Sequence, residues 1–184
     1  FKSDMNSKAL QDAVARDMAD GTKYGARGTP TFFVNGVPVR GAQPFNNFKP
    51  IIDKEIEMAN KYLSSGTPKN KLYATIIAKE GGKPAPGQPQ AKRPSAPPAP
   101  KGPFKINIGD APVYGSKDAP VKLVIWSDFE CSFCGRVNPS IEQVKKEYGK
   151  KVSVSFKHYP LPFHKNAELA AIAAIAAQNQ GKFW

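Results

Sequence analysis

Cysteine is scarce in this chain: two in 184 residues, Cys131 and Cys134, both inside "DFECSFCGRVNP" at 128–139. That count excludes a disulfide-dense scaffold. Histidine is as rare, with only His158 and His164. A four-ligand zinc site would therefore need both cysteines and both histidines, whose spacing does not match a finger. No apolar run is long enough to cross a bilayer, so membrane insertion is not expected. Acidic residues are also few, 15 against 27 Lys and Arg, for a net charge of +12. The densest part of that excess lies in residues 79–105, with 6 basic groups and one acidic. Those residues have no aromatic before Phe104. Nucleic-acid binding calls for basic groups interleaved with aromatics on a folded face, so solvated linker charge is the preferred reading. Weak attraction to an anionic envelope surface is compatible with it.

Proline marks the organisation. Eight of the 18 prolines fall in "GGKPAPGQPQAKRPSAPPAPKGP", 81–103, a composition with little to bury. Residues 80–103 read as a linker, with one folded piece at 1–79 and another at 104–184. The chain can hold one domain with a full core or two small ones. The ends "FKSDMN" and "QGKFW" carry no start or stop signal and read as cut from a longer protein.

In the first piece, "SKALQDAVARDM" places Leu10, Val14 and Met18 on one helical face. "TPTFFVNGVPVRG" is two apolar runs around Asn35-Gly36, a strong hairpin signal. "NNFKPIIDKEIEMANKYL" predicts a helix opened by an Asn cap, with Phe48, Ile52, Ile56, Ala59 and Leu63 inward. "KNKLYATIIAK" predicts a last short helix. In the second piece, "FKINIG" reads as an edge strand and "VKLVIWSD" as a strand covered on both faces. Residues 131–148 predict a helix burying Cys134, Val137, Ile141, Val144 and Tyr148. "KVSVSFKH" alternates Val152, Val154 and Phe156 as a strand, and "NAELAAIAAIAAQ" is a helix apolar nearly all round, hence expected to be buried on several sides.

Cys131 follows a buried strand and opens a helix. The unpaired N–H groups and dipole of a first helical turn stabilise a thiolate, the nucleophile of disulfide exchange. Cys134 lies one turn on, along the buried stripe. An exposed attacking sulfur and a shielded resolving one are therefore expected. A staple closing so short a loop removes little unfolded-state entropy. The redox reading is preferred over a zinc site or an inert pair. Asp128 and Glu130, near the attacking sulfur, would raise its pKa. His158 and His164 flank "YPLPF" and read as capping or packing residues rather than catalytic ones.

"VKLVIWSDFECSFCGRVNP" resembles the active-site segment of thioredoxin-fold proteins, most closely the bacterial DsbA-like family, with Pro139 where those proteins kink the active-site helix. "FKHYPLPFHKNAELAAIAAIAAQNQGKFW" resembles the family's next strand and the start of its helical insertion. "YGARGTPTFFVNGVPVRGAQPFNNFKPIID" resembles its closing segment, Thr29-Pro30 matching the threonine and cis-proline that face the cysteines. The resemblance implies an α/β thioredoxin-like fold with an incomplete helical insertion. It makes Cys131 and Cys134 catalytic, and Thr29 and Pro30 substrate-binding through backbone pairing with an extended strand. It implies a thiol–disulfide oxidoreductase that needs no dissociable cofactor, exchanging with substrate proteins and a redox partner protein in the periplasm or cell envelope. The rival expectation is a non-catalytic thioredoxin-like binding module. The Ser-Phe dipeptide matches neither the strongly oxidising nor the reducing members, so direction stays open.

The segments stand in the reverse of the family's order, as a circular permutant would have them. The linker favours a tail of one repeat joined to the head of the next over a true permutant. Either way, Thr31–Asn35 is expected to pair antiparallel with Val121–Ser127 and bring Pro30 beside Cys131. The halves would meet within one chain, or between chains in a domain-swapped dimer.

Overall fold

The computed structural model describes residues 4–80 and 103–184. Apart from its two ends, the linker expected at 80–103 lies outside the described residues. The elements run α1 (Lys8–Lys23), β1 (Thr31–Val34), β2 (Val37–Arg40), α2 (Phe45–Ser64), α3 (Lys69–Glu80), β3 (Val113–Tyr114), β4 (Val121–Ser127), α4 (Ser132–Tyr148), β5 (Val152–His158) and α5 (Ala167–Gln178).

Five strands form one sheet in the order β2-β1-β4-β5-β3, with β4 at its centre. β4 runs parallel to β5 and antiparallel to β1, in the register Thr31↔Trp126 to Val34↔Leu123. The expected junction between the halves is thus present, within one chain. The two-residue alternation of each strand divides its side chains between two layers. Phe32, Val34, Leu123 and Ile125 face α2 and α4 and pack with Phe48, Ile52, Val137, Ile141 and Val144. Phe33, Val124 and Trp126 face the other way, with Ile106 and partly buried Tyr24 and Phe104. On that side α1 packs on α5 through Leu10, Val14, Ala171 and Ile172.

Polar contacts also join the halves. Trp126 donates its indole N–H to the Asp17 carbonyl at 2.8 Å. The buried Lys157 ammonium reaches Asp17 and Asp20, each at 2.9 Å. Asn35, in the left-handed region at φ 45°, makes the hairpin turn with Gly36. Its side chain accepts from Lys122 N–H at 2.9 Å and donates to Glu55 at 3.1 Å.

Four local expectations are corrected. "FKINIG" is not a strand: Tyr73 Oη donates to the Phe104 carbonyl and accepts from Ile106 N–H, and Tyr24 Oη donates to the Lys105 carbonyl. Tyrosine hydroxyls thus take backbone groups that a neighbouring strand would otherwise pair. The edge strand is instead the two-residue β3. The cap of α2 is Pro44, not an asparagine, because burial of Phe45 draws the helix start forward. β5 is buried along nearly its whole length rather than on alternate residues, since it is an interior strand with helices over the sheet. In α5, full burial is confined to the side carrying Ala167, Ala171, Ile172 and Ala176, and Leu169 is exposed.

Candidate active site

The site forms where the carboxyl end of β4 meets the amino end of β1. Cys131 is the N-cap of α4, and its side chain makes no capping bond to that helix. The usual cap residues hold the first helical N–H groups with a side-chain oxygen; here a sulfur occupies that place. From the other half of the chain, the cis Thr29–Pro30 bond leads into β1. The Cys131 thiol donates to the Thr29 carbonyl, Sγ···O 3.5 Å. Residues a hundred positions apart are brought together as the resemblance implies.

Cys131 is nevertheless not exposed. It is 7% accessible and Cys134 is 5%, because the Thr29 carbonyl of the other half lies against the sulfur. The two thiols differ in electrostatics instead. Burial would raise the Cys131 pKa, but the Thr29 side chain and the N–H groups of Cys134 and Phe133 favour the thiolate and bring it below the ordinary value. Among the described residues the Thr29 hydroxyl has no hydrogen-bond partner around the uncharged thiol, so it is available to a thiolate. Burial pushes the Cys134 thiol up despite the Ser127 hydroxyl, and the adjacent Cys131 sulfur adds to the rise. Ser127 is a contributor that the sequence reading missed, since its role depends on the turn after β4.

Asp128 and Glu130 do not act as expected on the sulfur. The Asp128 carboxylate is wholly buried and accepts from Glu130 N–H, Leu161 N–H and His164 Nδ1, each at 2.7 Å. Glu130 turns away to Asn166, at 2.7 Å to its N–H and 3.1 Å to its amide. The net direction at Cys131 is down, not up. His164 thus packs ahead of α5 as the sequence suggests, with a carboxylate partner that spacing could not reveal. His158 is buried among Phe129, Phe156 and Phe183 with neither ring nitrogen bonded among the described residues, and burial pushes its pKa down to about 4. Among the described residues, no three His, Cys, Asp or Glu side chains gather as a metal site would require.

Residues 1–68 match the DSBA-like thioredoxin domain family, and residues 107–184 match the Thioredoxin family. Each match covers less than half of the chain, and together they support a DsbA-like thioredoxin-fold family. The sheet and its flanking helices accord with a thioredoxin-like fold. The chain is also similar to proteins named Na(+)/H(+) antiporters. It is 44% identical over 73 residues to NhaA 1 of Mycolicibacterium gilvum, covering 39% of this chain and 12% of that protein. It is 41% identical over 73 residues to NhaA 3 of Salinispora tropica, covering 39% and 11%. To NhaA of Herminiimonas arsenicoxydans it is 36% identical over 72 residues, again 39% and 11%. The chain therefore spans about an eighth or less of these relatives. No solved structure matches it significantly.

Proposed function

We propose that the chain is a protein thiol–disulfide oxidoreductase that works through Cys131 and Cys134. The observation that carries this reading is the meeting of Cys131 with Thr29 across the two halves, beside a second thiol whose pKa moves in the opposite direction. A lowered pKa suits the attacking or leaving sulfur, and a raised one keeps the second thiol in reserve.

In the reducing direction, the Cys131 thiolate attacks a substrate disulfide, forms a mixed disulfide and expels one substrate thiolate. Cys134 loses its proton and attacks Cys131 Sγ, forming the Cys131–Cys134 disulfide and releasing the second substrate thiolate. The oxidising direction is the reverse, and the relative reduction potentials of enzyme and substrate decide between them. Ionisation of Cys131 also removes the hydrogen that its thiol gives to the Thr29 carbonyl. That carbonyl is then free to accept from the N–H of an extended substrate strand, while Pro30 helps shape the platform. A redox partner protein restores the pair, in the periplasm or cell envelope where disulfides persist. The order of the segments is that of one repeat's tail followed by the next repeat's head. Antiport is not carried over from the relatives, whose shared portion is so small; no helix among the described residues is long and apolar enough to cross a membrane.

At neutral pH, Cys131 should be alkylated faster than Cys134, because its thiolate is the more populated. Cys134→Ser should trap mixed disulfides with a cysteine-containing peptide, and Cys131→Ser should trap few. Equal labelling, with no trapped adduct, would leave only a binding module.

A further inference from the structure

Asp128 is a buried carboxylate in the turn between the central strand and the cysteine helix. Its carbonyl accepts from Cys131 N–H at 3.3 Å and its Oδ1 from Glu130 N–H at 2.7 Å. It therefore holds the N–H groups of two successive residues ending at the sulfur-bearing one. Its Oδ2 reaches the segment between β5 and α5, accepting from Leu161 N–H and from His164 Nδ1, both at 2.7 Å. Against an ionised carboxylate, Nδ1 carries the hydrogen and donates. Glu130 closes a second link to the same segment through Asn166, the N-cap of α5. Five side-chain hydrogen bonds thus fix the cysteine turn, four of them to residues more than thirty positions away.

We infer that Asp128 and His164 are positioning residues for Cys131: together they set the turn that holds its sulfur at the opening of α4. The inference rests on the reading of Cys131 as the attacking sulfur. A carboxylate near a thiolate opposes ionisation by its charge, and this one's three donors offset much of that effect. What Asp128 supplies is direction. A hydrogen bond depends steeply on angle, so a turn released by a few tenths of an ångström loses the N–H···S⁻ interactions that favour the thiolate.

The sign of one measurement separates the roles. The rate of iodoacetamide alkylation of Cys131 is followed from pH 4 to pH 9 in the full chain, with thermal unfolding measured alongside. If charge alone linked Asp128 to the sulfur, Asp128→Asn would speed alkylation at pH 7. If Asp128 only held the fold, unfolding would come earlier while the alkylation profile stayed in place. Positioning slows alkylation by about tenfold, moving the profile to higher pH by about one unit. His164→Ala removes one of the three donors at a side chain 22% accessible, and should slow alkylation by about threefold in a folded protein. Should Asp128→Asn fail to fold, His164→Ala decides alone, and an unchanged or faster rate there overturns the inference. Wild-type Cys131 reacting no faster than Cys134 would instead overturn the reading of the pair.

Discussion

At the residue scale, position in the fold rather than residue type decides what the polar groups do. His158 shows this most clearly. Its pKa falls from 6.5 to about 4 because burial disfavours the cation, with Lys157 adding repulsion. A lowered histidine pKa means the unfolded chain takes up the proton first. The stability it reflects is complete above about pH 6.5 and is lost as pH falls toward 4, an effect of about 3 kcal/mol. Denaturant unfolding across that range should show the fall, and His158→Phe should flatten it. Gly21 makes a second case. Alanine inside an exposed helix usually gains up to about 1 kcal/mol over glycine. At Gly21 a Cβ would lie 2.7 Å from the Trp126 ring and 2.9 Å from Tyr159. The Trp126 ring cannot give way, since it is fully buried and tied to Asp17, and the Tyr159 hydroxyl is held by the Ala26 carbonyl. Gly21→Ala should therefore destabilise by about 1–3 kcal/mol, through separation of α1 from the sheet.

At the element scale, the β1–β2 hairpin serves as both turn and clamp. Glycine could supply the left-handed conformation at position 35 as well as asparagine can. It could not supply the acceptor for Lys122 N–H or the donor to Glu55. Asn35→Gly should keep the hairpin and weaken its attachment to β4, costing about 1–3 kcal/mol in denaturant unfolding. A smaller loss would mean that backbone pairing of β1 with β4 holds the register without the clamp. Glu55 adds a pH signature of its own. Burial raises its pKa above the ordinary 4.5, against the opposing bond from Asn35. The native state then holds the proton after the unfolded chain has released it, so stability falls as pH rises from 4.5 to the raised value. Glu55→Gln keeps an acceptor for Asn35 and should remove that slope.

At the scale of the whole molecule, neither half encloses the main core. Phe32, Phe48 and Ile52 from the first half complete a cluster with Leu123, Ile125 and Ile141 from the second. The edge of β1 that faces β4 would be unpaired in the first half alone, as would the matching edge of β4 in the second. Peptides 1–80 and 103–184, made separately, should each lack a cooperative unfolding transition. Mixed in equal amounts they should regain one, together with fast alkylation of Cys131. A cooperative transition in either peptide alone would show that the halves are independent units and that their shared sheet is secondary.

Much of this was legible in the residues. The periodicity of α1, α2 and α4, the Asn-Gly turn and the unbroken apolar run of β4 are local patterns, and local patterns survive without knowledge of what they pack against. The cysteine pair after a strand was legible too, and so was Thr29-Pro30, though its place beside Cys131 rested on family resemblance. What the sequence could not decide depended on neighbours distant along the chain. "FKINIG" has the alternation of a strand, but Tyr24 and Tyr73 bond its backbone first. The exposure of Cys131 looked settled by its place at a helix start until the Thr29 carbonyl from the other half came to lie against it. Asp128 and Glu130 are acids beside a sulfur in sequence, yet in space their oxygens are taken by the segment before α5. Local periodicity determined the elements, whereas accessibility, charge partners and hydrogen-bond direction arose only when the two halves closed, because each depends on atoms that sequence proximity does not supply.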